Sequence, residues 1–163
     1  MRRLPLLLLT LLAGCATIAR DETPFFDEGP ERDRATAAEV IAARHAMMHM
    51  AATLMFESVM PAVRNGTDVK RQAHAAEGLT HFGHSIAGLF PDGSEGPDSR
   101  ALPALWANKA DFQAKAKAFG DASARLAELA QAGDTAGFAA QAKAVSQGCN
   151  GCHSLYRAEE HKH

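Results

Sequence analysis

Apolar residues recur every three to four positions along most of the chain, which is the spacing of one face of an α-helix. Four long segments carry this pattern, and turn-forming residues separate them; the predicted helices cover residues 37–60, 68–89, 103–131 and 135–161. Alternating β-branched runs, which favour strands, are almost absent. The pattern therefore predicts an all-α protein, and the short or moderate links favour an antiparallel four-helix bundle.

Capping residues mark where the helices begin. Thr36 and Glu39 form a capping-box pattern at the first helix, and Asp134 is the predicted cap of the fourth. Pro61 is expected to kink or end the first helix, because proline lacks the backbone donor. The predicted core-facing stripe of that helix contains Ile41, Arg44, Met48, Ala51, Ala52, Met55 and Val59.

The first 15 residues have the features of an export signal. Two arginines precede an apolar run from Leu4 to Ala13, which is too short to span a membrane. The run ends in LAGC, which resembles the lipobox of bacterial lipoproteins and makes Cys15 the predicted lipid attachment; an ordinary cleaved signal peptide is the alternative. Residues 16–35 show no helical stripe and are predicted to form a flexible tether to the four-helix domain at 36–163.

Lipidation of Cys15 would anchor an exported protein to a bacterial membrane on its periplasmic side. Alanine at position 16, in place of aspartate, slightly favours the outer membrane. Without Arg2 and Arg3 the 17 basic residues fall to 15 against 19 acidic residues, a net charge of −4. This mild acidity offers no surface for a phosphate backbone, so nucleic acid is not an expected partner.

Two of the three cysteines stand in the sequence CNGCH, as Cys149 and Cys152, with His153 directly behind. Two thiols at this spacing followed by an imidazole are typical of covalent haem c attachment, in which the histidine is an axial iron ligand. A structural zinc site would need four ligands, and no second cysteine pair exists. A redox dithiol would need a preceding strand, and a disulfide across this helical gap would be strained. Haem c is therefore the predicted cofactor.

A haem motif in the last helix of a bundle resembles the class II c-type cytochromes, the cytochrome c prime family. The resemblance covers nearly all of residues 36–160 and rests on the segments VIAARHAMM, VMPAVRNG, FPDGSEG, LW and CNGCHSLYR. It implies one haem near one end of the bundle. His153 would lie on one face of the porphyrin and side chains of the first helix on the other.

The resemblance also implies roles for two arginines. Arg44 corresponds to the arginine of the family's first helix, where it pairs with a haem propionate or caps an exposed edge; the propionate role is favoured. Arg157, four residues after His153, is expected on the same helical side as that histidine. There a cation favours the more reduced iron, although a solvated arginine in the last turn is the alternative.

The residue four positions after the first-helix arginine divides this family. An apolar residue there leaves the iron open to nitric oxide or carbon monoxide, whereas a methionine ligates it. Met48 stands at this position, so the resemblance implies His153 and Met48 as axial ligands. Packing is the usual role of a helical methionine, and His45 would approach the iron if the helix were rotated.

These observations favour a lipid-anchored, monohaem electron carrier without enzymatic activity, which exchanges electrons with redox partner proteins. A five-coordinate haem protein that binds nitric oxide or carbon monoxide is the alternative. A helical lipoprotein without haem is a third hypothesis. The resemblance also makes a homodimer through the first two helices possible.

Overall fold

The all-α fold is confirmed in the computed structural model of this protein, which describes residues 35–159. The predicted lipid site Cys15, most of the predicted tether and residues 160–163 lie outside this range. In chain order the elements are α1 (Ala37–Thr53), a π-helical segment (Leu54–Val59), α2 (Met60–Asn65), a 3-10 turn (Val69–Gln72), α3 (Ala73–Ser85), a second 3-10 turn (Ile86–Leu89), α4 (Ala104–Ala107), α5 (Lys109–Ala132) and α6 (Thr135–Tyr156).

The first bundle helix is one continuous rod, Ala37–Asn65, made of α1, the π-helical segment and α2. Pro61 does not end it. The ring of a proline collides with the carbonyl four residues before it in α-helical geometry, and a wider π turn relieves that collision. In agreement with this, the backbone N–H of Met60 donates to the carbonyl of Met55, five residues back.

The predicted caps are present. The Thr36 hydroxyl accepts from the Glu39 N–H at 3.3 Å, and the Glu39 carboxylate accepts from the Thr36 N–H at 2.7 Å. At the start of α6, the Asp134 carboxylate accepts from the Gly137 N–H at 2.9 Å. Each bond satisfies a backbone donor that a helix start leaves unpaired.

The first helix contributes less to the core than its sequence predicts. Ile41, Arg44 and Ala51 are the buried residues of α1; Met48 is half-buried, and Ala52, predicted to face the core, is exposed. By length and composition the Ala37–Asn65 rod is apolar enough to cross a membrane, but only 22% of its most apolar window is buried in the bundle. The first helix therefore presents apolar surface that the other described helices do not cover.

The last two helices differ from their predicted lengths. The third is interrupted at Asn108, whose backbone leaves helical geometry between α4 and α5. The fourth ends at Tyr156 rather than at residue 161, and Arg157 is extended. Residues 156–158 instead pair with 100–102: the Leu102 N–H donates to Tyr156 O at 2.9 Å, and the Ala158 N–H donates to Arg100 O at 2.8 Å. These bonds with a distant segment replace the last helical turn.

The antiparallel order brings four segments together at one end of the bundle. They are the first turns of α1, the loop of residues 90–103, the start of α5 and the last turns of α6. Hydrogen bonds from Arg44 to the loop, and from the loop to Tyr156, join them. We call this the motif end, because it holds the Cys149–His153 sequence.

A close glycine contact sets the spacing of α3 and α5. A Cβ added to Gly83 would lie 2.5 Å from the Cα of Gly120, a distance that real Cβ atoms do not show. The rings of Phe82 and Phe119 meet edge to face beside this crossing, with centroids 6.1 Å apart. The two glycines therefore allow backbone contact where larger residues would force the helices apart.

Gly83→Ala is expected to lower the free energy of unfolding by about 1–3 kcal/mol, because the new methyl group would collide with the Gly120 backbone. The higher helix propensity of alanine, about 1 kcal/mol, offsets part of this loss. Gly88→Ala is the matched control, since a Cβ there meets nothing within 4 Å. Thermal unfolding followed by circular dichroism measures both, and equal midpoints would contradict the close crossing.

Candidate functional site

The two cysteines of the motif are three residues apart in α6, about one helical turn, so they lie on the same side of the helix. Both are free thiols and both are half-buried. Burial raises the pKa of Cys149, and the neighbouring Cys152 raises it further. Burial also raises the pKa of Cys152, against an opposing effect of Lys115. The pair is therefore protonated at neutral pH.

His153 follows directly and is half-buried in the last turns of α6. Burial lowers its pKa, and the positive charges of Arg157 and Arg100 lower it further. The imidazole is therefore neutral at pH 7, the form that has a nitrogen lone pair for a metal.

The sequence predicted Arg157 on the same helix as His153, but the structure places it just beyond the end of that helix. It is the C-cap of α6, its backbone is extended and its side chain is exposed. The helix ends one residue earlier because the chain pairs with residues 100–102. The Arg157 N–H still donates to His153 O at 3.2 Å. Its charge therefore acts on the histidine from beyond the helix end.

Arg100 is a second cation beside His153, and sequence reasoning missed it. Its guanidinium donates to Ala158 O at 3.0 Å. It comes from the loop between the second and third helices, 53 positions before His153 in the sequence. No local pattern indicated that this loop crosses the end of α6.

Arg44 is 3% exposed and donates four hydrogen bonds, one to the end of the second 3-10 turn and three to the loop that follows it. Its Nε donates to Leu89 O at 3.0 Å, and Nη1 donates to Ser99 Oγ at 2.9 Å. Nη2 donates to Ser94 O at 3.2 Å and to Ser94 Oγ at 2.7 Å. The guanidinium carbon also lies 4.1 Å from the centroid of the Phe90 ring. Sequence reasoning missed these partners, and the propionate contact stays a prediction.

Met48 is half-buried against the core, one helical turn after Arg44. His45, His49 and Met50 on the same helix are exposed. The rotation of α1 thus turns Met47 and Met48 inward and both histidines outward. Axial ligation by Met48 stays a prediction.

Tyr156 links α6 to α5 beside the motif. Its buried hydroxyl donates to Asp111 Oδ2 at 2.5 Å, and Lys115 Nζ lies 3.4 Å from the other carboxylate oxygen. The hydrogen bond to Asp111 raises the pKa of Tyr156 to about 12 and lowers the pKa of the carboxyl group. The sequence did not predict the hydrogen-bond partner of Tyr156.

The sequence pattern of the cytochrome c′ family matches residues 39–157, which includes every helix of the bundle. The chain belongs to the cytochrome c′ family. Members of this family carry one covalently attached haem c, so the protein is a monohaem c-type cytochrome.

Two curated members and one solved structure illustrate the similarity. Cytochrome c′ of Pararhodospirillum photometricum is 34% identical over 86 residues, 52% of this chain and 69% of that protein. Cytochrome c-556 of Agrobacterium fabrum is 46% identical over 72 residues, 44% of this chain and 47% of that protein. The chain thus matches about half the length of that relative.

The solved structure is the nitric oxide complex of a mutant cytochrome c prime from Alcaligenes xylosoxidans. It superposes with a TM-score of 0.70 at 26% identity, over 78% of this chain and all of the other chain. This superposition supports the four-helix bundle of the family.

The residues at the motif end fit the haem of this family. Cys149 and Cys152 supply two protonated, half-buried thiols on one helix face, and His153 supplies a neutral imidazole beside them. Met48 supplies a thioether on the first helix. Two thiols for covalent attachment and an imidazole for the iron are the groups that a c-type haem site requires.

Tyr156→Phe is expected to destabilise the protein at neutral pH. The hydroxyl has a folded-state pKa of about 12 against an ordinary value of 10, so its contribution to stability is complete below pH 10 and is lost as the pH rises through about 12. The lowered pKa of Asp111 gives a contribution that is present above its ordinary value of 3.8 and is lost in acid.

Urea midpoints of the wild type and the Tyr156→Phe variant, measured as a function of pH, test this expectation. The difference between the two proteins should be constant from about pH 5 to 9 and should shrink above about pH 10. A difference that does not change in alkali would show that the Asp111 hydrogen bond does not cause the destabilisation.

Proposed function

We propose that this cytochrome binds nitric oxide or carbon monoxide on the haem face opposite His153, and that Met48 controls access to that face. The observation that carries the proposal is the half-buried Met48 at the inward side of a lightly packed helix. The solved relative described as a nitric oxide complex supports it. A bound haem supplies the iron that takes the gas.

The protein's own residues divide the work at this site. Cys149 and Cys152 would hold the porphyrin through two thioether bonds, with each sulfur bonded to one carbon of a former vinyl group and the thiol hydrogen on the other carbon. His153 would offer the lone pair of its neutral imidazole nitrogen to the iron. Arg157 and Arg100 add positive charge near that imidazole, and a positive charge there favours the ferrous state.

Electron transfer to redox partner proteins is the second candidate function. One observation favours it: residue 48 has a thioether where a hydrocarbon would suffice for packing, and methionine with histidine is the ligand pair of electron-transfer cytochromes c. In this case Met48 is a permanent ligand. The nitric oxide complex of a solved relative favours gas binding over electron transfer.

Met48→Ala distinguishes the two candidates. If Met48 controls access, the wild-type ferrous protein takes up carbon monoxide, and the variant takes it up about tenfold faster, a factor that corresponds to the loss of roughly 1.4 kcal/mol of barrier. If Met48 is a permanent ligand, the wild type takes up little or no gas and has a low-spin spectrum that Met48→Ala abolishes.

Stopped-flow mixing with carbon monoxide and optical spectra of both oxidation states measure these outcomes. Met50→Ala is the matched control, because Met50 lies on the same helix and is 57% exposed. It should leave both the rate and the spectrum unchanged. Failure of the wild type to take up carbon monoxide would contradict the gas-binding proposal.

We further propose that the mature chain is anchored by a lipid on Cys15 to the periplasmic side of a bacterial membrane, with residues 16–35 as the tether. The lipobox sequence LAGC supports this proposal. Pairing of two copies through the first two helices is a related proposal, supported by the exposed apolar surface of Met50 and Phe56.

Cys15→Ser is expected to move the haem-stained protein from the membrane fraction to the soluble periplasmic fraction. The serine has no thiol to receive the lipid, while the haem motif is unchanged. Haem-stained gels of both fractions measure the shift, and Cys152→Ser controls for the stain. Membrane retention of Cys15→Ser would contradict the lipid anchor.

A further inference from the structure

We propose that residues 89–102 form a strap that ties the first helix to the last at the motif end, and that Arg44 is the positioning residue through which the strap holds Met48. The inference rests on the proposed function, because it concerns how Met48 is held at the haem face. It assigns to Arg44 a role besides the expected propionate contact.

Arg44 is the main polar attachment of the first helix. α1 has 17 residues, of which Ile41, Arg44 and Ala51 are buried. Among the described residues, the side-chain hydrogen bonds that join α1 to the strap all come from Arg44. Ile41 adds an apolar contact, since a Cβ on Gly96 of the strap would lie 3.0 Å from its Cδ1.

The first part of the strap is built around the guanidinium. Ser94 Oγ accepts from Arg44 at 2.7 Å and donates to Pro91 O at 2.7 Å. Pro91 O also accepts from Trp106 Nε1 at 3.2 Å. Asp92 lies 2.6 Å from Lys109 Nζ at the start of α5. This part of the strap is thereby fixed to Arg44 on one side and to the third helix on the other.

The second part of the strap reaches the last helix. Ser99 Oγ accepts from Arg44 Nη1 at 2.9 Å and from the Ala101 N–H at 3.1 Å. The neighbouring residue Leu102 donates to Tyr156 O at 2.9 Å. Tyr156 lies three residues after His153, so Ser99 connects the attachment of the first helix to the end of the helix that holds the proximal ligand.

A series of aromatic ring contacts also leads from Arg44 to Tyr156 inside the bundle. The Arg44 guanidinium lies over Phe90 at 4.1 Å, and the Phe90 and Phe112 centroids are 4.9 Å apart. The Phe112 and Tyr156 centroids are 5.7 Å apart. Phe90, Phe112 and Tyr156 are buried. Close-packed interiors compress very little, so these rings brace the strap.

Met48 depends on this arrangement because it lies one turn after Arg44 on the same side of α1. If the hydrogen bonds between Arg44 and the strap break, this turn of α1 loses its polar attachment. Met48 can then move away from the haem face. Lysine cannot replace the planar fork of arginine, because an ammonium group is a point charge with a different donor geometry.

The test compares Arg44→Lys and Ser99→Ala in the ferrous holoprotein. Arg44→Lys is expected to raise the carbon monoxide association rate about tenfold, the factor that one hydrogen bond from a charged donor is worth. Ser99→Ala keeps Arg44 and any propionate contact, cuts the bridge alone and should give a smaller rise. Arg125→Lys is the matched control, since Arg125 is 58% exposed and pairs with Glu128 on the surface.

Hydrogen exchange of the strap amides is the second readout. The amides of residues 94–102 should exchange about tenfold faster in Arg44→Lys than in Arg125→Lys, because the hydrogen-bonded centre of the strap is lost. Circular dichroism and haem content verify that the variants are folded and loaded.

Met48→Ala separates the possible failures. Fast gas binding in Met48→Ala, Arg44→Lys and Ser99→Ala supports the strap. Fast binding in Met48→Ala with unchanged rates and unchanged exchange in the other two overturns the strap and leaves the proposed function standing. An unchanged rate in Met48→Ala overturns the control of access by Met48, and the strap inference with it.

Discussion

The buried guanidinium of Arg44 constrains the motif end of the bundle more than any other group that the structure describes. A buried charge is costly unless every donor finds an acceptor, and a hydrogen bond to a charged group contributes about 1.5–3 kcal/mol. The acceptors of Arg44 come from Leu89, Ser94 and Ser99. The loop must therefore follow one course around the guanidinium, and that course carries it across the end of α6.

The helix that holds Cys149 and His153 is packed more tightly than the helix that holds Met48. α5 and α6 pack through many buried residues, including Phe119, Leu126 and Phe138, so the helix that holds Cys149 and His153 is firmly seated. The first helix is lightly packed, and an apolar groove of about 420 Å³ lies between it and α3. Segments with few buried contacts move more readily than a packed core. The proximal side is therefore rigid and the Met48 side adjustable.

Local signals were the predictable part of this structure. The capping box at Thr36, the cap at Asp134 and the apolar stripes depend on residues within a few positions of each other, and the four helices follow from them. The partners of Arg44 lie 45 to 55 positions away, and Arg100 meets Ala158 across 58 positions. Helical periodicity has no information on such pairs. For the same reason the predicted end of the fourth helix lies five residues beyond the observed end at Tyr156, where a distant segment supplies the backbone partners.

The contrast in rigidity bears on which function the site performs. A thioether on a firmly packed helix would stay in place through a redox cycle, which suits electron transfer, because little rearranges when charge moves. A thioether on a lightly packed helix yields to a competing ligand at lower cost. Met48 belongs to the second class by its partial burial, yet Arg44, one turn before it, is among the most tightly bound side chains of the first helix. The strength of the Arg44 hydrogen bonds, more than the chemistry of the thioether, would then set how far Met48 can move from the haem face.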